Sequence, residues 1–202
     1  MTNQTRSFSS TNTMTLAALV AAVALAGCAH GRTPARATAA PVAGAPPMTK
    51  ADAIAAQTQW CDALIGIGAA AAAGQDARAM AERVLSTAYA YDQGTVLFKP
   101  TLTHGAQTFR MDKAGALAYF VGGDPAYPDD TGFALKGWKR CTPEVKAVVA
   151  DGDMAVAMGN VHFEGKDGAK VTVDKTFGYH RGADGRFAIV VHHSSLPYVP
   201  AK

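Results

Sequence analysis

No apolar run in this 202-residue chain is long enough to cross a bilayer. The longest, Met14–Ala26 (MTLAALVAAVALA), has thirteen residues, whereas a hydrocarbon core of ~30 Å needs about 20. Charge is scarce too. Only 17% of residues are Asp, Glu, Lys or Arg, and the formal net charge is +3. No Lys/Arg run interleaves with aromatics, which argues against nucleic acid as a partner. The six histidines are not spaced as a metal set. His192 and His193 are adjacent on a strand and so point apart. His104, His162 and His180 lie on a loop and on two other strands, so three ligands for zinc would have to meet by tertiary accident. The expectation is no required metal, with zinc or manganese as the alternative.

What is present begins at the N-terminus. Residues 1–13 are polar and carry one charge, Arg6; the apolar run that follows has the length of a signal-peptide core. Leu25-Ala26-Gly27-Cys28 resembles the lipobox of bacterial lipoproteins. The resemblance implies cleavage before Cys28 and a diacylglyceryl group on its sulfur, an anchor holding the protein to a membrane from the periplasmic side. Ala29 rather than Asp after the cysteine favours the outer membrane. His30–Met48 is rich in Ala, Pro and Gly and cannot offset its ordering entropy by burial, so it reads as a spacer. The expected organisation is a signal peptide over 1–27, a lipidated cysteine and flexible linker over 28–48, and one folded domain over 49–202. Cys61 and Cys141 remain as an even pair in an oxidising compartment. Bonded, they close a loop of about 80 residues, worth roughly 4 kcal/mol in the chain-entropy model; otherwise they are two separate core thiols.

Within the domain, Thr49-x-x-Asp52 is a capping pattern. Behind it, Ile54, Gln57, Cys61, Leu64 and Ile65 fall at helical spacing. Gly66, Gly68 and the Ala run to Ala73 predict the end or loosening of that helix, and Gln75–Ala88 a second one. Thr95–Phe98 reads as a strand halted by Pro100, Gln107–Phe109 as a short strand, and Asp112–Phe120 as a short helix closed by Gly122-Gly123. Four strand-like runs follow, roughly Lys136–Ala150, Met154–Glu164, Lys170–His180 and Arg186–Ser195, separated by Asp-Gly turns that mark hairpins. Met154, Met158 and Trp138 read as sheet core. Helices first and a long antiparallel meander after them predict an α+β fold. The expected form is a cone of the cystatin/NTF2-like type, with the helices packed on a curved sheet and a pocket between the two layers.

The segments LFKPTL (97–102), FR…DKAGALAYF (109–120), GNVHF (159–163), DKTFGY (174–179) and VVHHSSLPY (190–198) resemble the iota-class carbonic anhydrases. That resemblance implies reversible hydration of CO₂ to bicarbonate, in a pocket where hydroxyl side chains hold the reacting water. On the matching positions these are Thr101, Tyr119 and Ser194, with His192 on the same strand face as Ser194.

The residues themselves allow this chemistry without naming it. Each hydroxyl is both donor and acceptor, so a set of them can hold a water and pass a proton. Phe98, Phe120, Leu97 and Leu196 would offer CO₂ an apolar surface, with Ser195 beside them, and His192 would accept or relay a proton. Lys99 and Arg110 at the pocket entrance would attract bicarbonate, although these and Lys175 read more simply as solvated strand faces. Two other functions compete. A non-catalytic small-molecule-binding or oligomerisation module would suit a fold type that commonly forms homodimers. An isomerase would need a carboxylate base inside the cone, and only Asp174 lies within a long central strand.

Overall fold

The computed structural model describes residues 44–201. The expected signal peptide, Cys28 and the spacer as far as residue 43 lie outside the described residues.

Helix α1 (Lys50–Ala72) opens with the expected capping box, in which Thr49 and Asp52 satisfy each other's backbone N–H groups. Its buried stripe is Ala53, Gln57, Trp60, Cys61, Leu64, Ile67 and Ala70, a rotation from the predicted one that leaves Ile54 40% exposed. The helix also runs through Gly66 and Gly68 rather than loosening there. These two glycines serve close approach: a Cβ on Gly66 would sit 2.7 Å from the Met80 side chain, and one on Gly68 2.6 Å from the Ala134 carbonyl oxygen. Helix α2 (Ala77–Ala88) follows, capped by Asp76, and then comes the short strand β1 (Leu97–Lys99).

The predicted strand at Gln107–Phe109 is instead a 3-10 turn over Gly105–Gln107. Threonine side chains take up the local backbone groups there. Thr108 donates to the Gly105 carbonyl and Thr103 to the Thr108 carbonyl, so the segment has no need of a ladder partner. Helix α3 (Lys113–Val121) is capped by Asp112 and stopped by Gly122 at φ 64°.

The meander is β2 (Trp138–Asp151), β3 (Met154–Gly165), β4 (Lys170–Arg181) and β5 (Phe187–Ser195). The sheet order is β1-β5-β4-β3-β2, antiparallel except for the parallel pairing of β1 with β5. The fold is thus the expected α+β, NTF2-like arrangement of N-terminal helices on a five-stranded sheet. Alternation decides which side chains meet the helices. On β3, Ala155, Ala157, Val161 and Phe163 point inward and are buried. The even positions face away, so Met154 and Met158 are 45% and 60% exposed, not core as predicted. Trp138 does pack against the core. Cys61 and Cys141 are bonded, Cα to Cα 5.3 Å, and tie α1 to β2 across 80 residues of sequence.

Candidate active site

Strand β5 supplies the floor. His192 and Ser194 point inward at 1% and 0% exposure, while His193 is exposed and Ser195 half-buried on the opposite face, the alternation that the sequence predicts. Strand β1 runs parallel beside it with Phe98 in register with His192, and the two rings stack at 4.6 Å. Pro100 ends β1, and the next residue turns its side chain back over β5: Thr101 Oγ1 lies 2.5 Å from Ser194 Oγ, the pair buried together. Lys99 fixes the same spot by donating to the Ser194 carbonyl at 2.9 Å.

Helix α3 supplies the third hydroxyl. Tyr119 is 5% exposed, edge-on to Phe98 at 5.8 Å and stacked on Phe133 at 5.4 Å. Its hydroxyl is buried without a hydrogen bond of ordinary geometry. Burial holds its pKa above the usual phenol range, and the nearby Thr101 hydroxyl only partly offsets that rise. Phe120, stacked on Phe98 at 5.8 Å, completes the apolar wall. Thr101, Tyr119, Ser194 and His192 therefore come together with Phe98 and Phe120 between helices and sheet.

Three of the predicted lining residues do not join them. Strand β5 ends at Ser195, whose side chain takes the outer face by alternation. Leu196, past the strand end, is 56% exposed, and Leu97 on the outward side of β1 is 54% exposed. The reading of Arg110 and Lys175 as solvated is also corrected: they are 3% and 4% exposed. Arg110 makes a two-pronged pair with Asp130 at 2.8 and 2.9 Å. Lys175 points inward because β4 alternates Val173, Lys175, Phe177 and Tyr179 toward the helices, all buried. Asp174 is half-buried and accepts from Asn160 at 2.8 Å, on the face away from the site. It offers no base to the interior.

A network that the sequence reading did not single out continues from His192. Tyr89, just after α2, contacts His192 Nδ1 at 2.8 Å, and the Trp60 indole N–H donates to the Tyr89 oxygen at 2.9 Å. Lys175 Nζ lies 2.7 Å from His192 Nε2. Burial first, then Lys175 and His193, hold His192 well below the usual imidazole pKa. The signal for Lys175 was present in the sequence, as one charge inside an alternating apolar row. Among the described residues no three His, Cys, Asp or Glu side chains cluster as a metal site.

An α+β cone with buried hydroxyls meeting on its sheet floor is the class that this geometry defines. The model of the family described as "Metal-independent carbonic anhydrase" matches residues 51–196, and the chain belongs to that family. A curated protein called a metal-independent carbonic anhydrase, from Nostoc sp. (strain PCC 7120), is 45% identical over 153 residues, 75% of each chain. The crystal structure of a cyanobacterial iota-carbonic anhydrase complexed with bicarbonate is 44% identical. It covers 76% of this chain and 95% of its own, with a TM-score of 0.74. Membership makes this chain a carbonic anhydrase of the iota class, one that needs no metal cofactor.

Proposed function

We propose that the interconversion of CO₂ and bicarbonate takes place where Thr101, Ser194 and Tyr119 converge. The observation that carries this reading is the paired Thr101 and Ser194 hydroxyls beside a buried Tyr119 hydroxyl, whose polar neighbours, the Thr101 hydroxyl and the Thr101 and Leu102 backbone, reach it at no ordinary hydrogen-bond geometry. A buried phenol without an acceptor is costly, and a water or a bicarbonate oxygen would satisfy it. Thr101 and Ser194 supply lone pairs that orient the attacking water and hydroxyl protons that bind the product. Phe98 and Phe120 keep bulk water away and give CO₂ an apolar surface, so the few donors act in a low-dielectric setting. The bicarbonate in the cyanobacterial structure supports a ligand of this size and charge. The proton released by the water leaves by way of His192, which burial keeps neutral, so that it relays the proton rather than holding it. Stopped-flow CO₂ hydration on chelator-stripped protein tests the reading. The full rate is expected after stripping, and a rate that returns only on adding zinc or manganese would overturn it.

The lipobox-like Leu25-Ala26-Gly27-Cys28 supports a periplasmic protein anchored by lipid on Cys28, with the outer membrane as the destination. The outer sheet face supports a homodimer. Val149, Met154, Val156 and Met158 are 75%, 45%, 44% and 60% exposed on neighbouring strands β2 and β3, an apolar cluster that a two-fold copy would cover on both subunits at once. Cys28→Ser should move the protein from the membrane to the soluble fraction. The released protein should sediment at twice the chain mass, and at the chain mass once Val149 and Met158 are changed to Asp. Retention in the membrane fraction, or a monomer before those changes, would count against the respective proposal.

A further inference from the structure

Lys175 is a buried cation-forming side chain with no anion to answer it. Among the described residues no carboxylate hydrogen-bonds or ion-pairs with it or with His192; its polar neighbour is His192 Nε2, at 2.7 Å. An ammonium buried without a counter-charge is expensive, and burial together with Lys99 holds the amine well below the usual lysine pKa. The other titratable groups around Tyr89, His192 and Lys175 are Lys99 from β1, Tyr91 after α2, Tyr119 from α3, Tyr179 on β4 and His193 next along β5. None of them brings a negative charge, since the pKa of each tyrosine is raised by burial.

The hydrogen-bond arithmetic then constrains the protons. The Tyr89 oxygen already accepts from the Trp60 indole at 2.9 Å. With lysine neutral, the arrangement that uses every donor has Tyr89 O–H donating to His192 Nδ1 and His192 Nε2–H donating to the Lys175 lone pair. Adding one proton at Tyr89 reverses the whole line. The incoming proton takes the Tyr89 oxygen and the old hydroxyl proton moves to Nδ1. The Nε2 proton then moves to Nζ, and the new ammonium donates back to Nε2. No nitrogen loses its partner in either polarity. The charged form has a resting place as well, because Nζ lies 4.6 Å from the Trp60 ring centroid and 5.8 Å from that of Phe177.

The geometry points to Tyr89, His192 and Lys175 as a proton wire that stores, on Lys175, the proton released when water attacks CO₂. This rests on the reading of the hydroxyl site above. Hydration forms the carbon–oxygen bond of bicarbonate and breaks one water O–H bond, and the wire holds that single proton until it is returned to solvent. The placement suits the task. Lys175 is the register partner of Ser194 across β4 and β5, and His192 lies two residues from Ser194 on the same face. Lys175 acts through His192 and is therefore a positioning residue.

The test pairs a resting-state measurement with kinetics on the full chain. Long-range ¹H–¹⁵N spectra of labelled wild-type protein should show His192 protonated on Nε2 and Lys175 as a neutral amine at pH 8. Lys175→Met should keep the fold and the KM for bicarbonate, lose about 10²-fold in kcat, and move the acid limb of the pH–rate profile. Tyr89→Phe should lose a similar factor. Lys175→Arg brings a permanent charge that it cannot give up, so it should be as slow as the methionine variant. A wild-type pH profile with undiminished kcat in Lys175→Met overturns the wire and leaves the hydroxyl site standing. A resting His192 protonated on Nδ1 beside a lysine ammonium also overturns it, and this second readout decides the matter should Lys175→Met fail to fold. Undiminished rates in Thr101→Val and Ser194→Ala sink the hydroxyl site instead.

Discussion

Asp130→Ala is expected to destabilise the domain by about 3–5 kcal/mol, the usual loss when one partner of a buried ion pair is removed. The Arg110 guanidinium is 3% exposed and stacks on the Tyr127 ring at 4.5 Å. Both Asp130 oxygens are within 2.9 Å of its Nη2. Its Nε has no hydrogen-bond partner even in the intact protein, so without Asp130 a desolvated charge would keep only the Gln107 carbonyl, which accepts from Nη1, and the Tyr127 ring. The damage should spread to α3. Gly115 of that helix sits so close that a Cβ there would meet Tyr127 Oη at 2.8 Å and Arg110 Cδ at 3.0 Å. Gly122, the cap of α3, packs on the Asp130 backbone. Because α3 carries Tyr119, Asp130→Ala should also slow CO₂ hydration at temperatures where the variant is still folded. Arg110→Met with Asp130→Leu should recover most of the stability, since apolar replacement of both partners is often neutral. Urea unfolding measures both. A single-variant loss below about 1 kcal/mol would mean that the pair is solvated and worth what surface pairs are worth.

The architecture was legible because it rests on local signals. Asp-Gly turns between alternating runs give the meander, and both Thr49-x-x-Asp52 and Asp112 proved to be caps. Where the reading failed, tertiary contact had overruled a local rule. Gly66 and Gly68 look like helix breakers, yet they are the places where α1 lets Met80 and Ala134 approach. Met154 and Met158 are apolar, but the parity of β3 is set by Phe163 and Val161 on the inner face. The hydroxyls were legible by resemblance, and Ser194 with His192 by alternation as well. That Thr101 folds back onto Ser194 was not, because it depends on β1 running parallel to β5, a long-range pairing that no local pattern announces. Leu196 misled for a local reason: past the end of a strand, alternation no longer says which way a side chain points.

The hydroxyl pair itself makes the sharpest kinetic prediction. In the double variant Thr101→Val with Ser194→Ala, the floor of the site loses both of its lone-pair donors and both of its hydroxyl protons while keeping nearly the same shape. Positioning of one water by preorganised groups, together with their stabilisation of the developing charge, is commonly worth 10²–10³ in kcat, and a loss of about that size is expected in stopped-flow hydration. The two single variants should lose nearly as much as the double. At 2.5 Å each hydroxyl sets the orientation of the other, so removing either one disorders both. Stability should barely move. Taking out two buried hydroxyls that bond chiefly to each other leaves little unsatisfied, so the double variant should unfold within about 1 kcal/mol of wild type. Independent losses that multiply would mean that Thr101 and Ser194 act on different atoms of the substrate. An unchanged kcat would remove the reaction from this floor altogether and put it elsewhere in the cone.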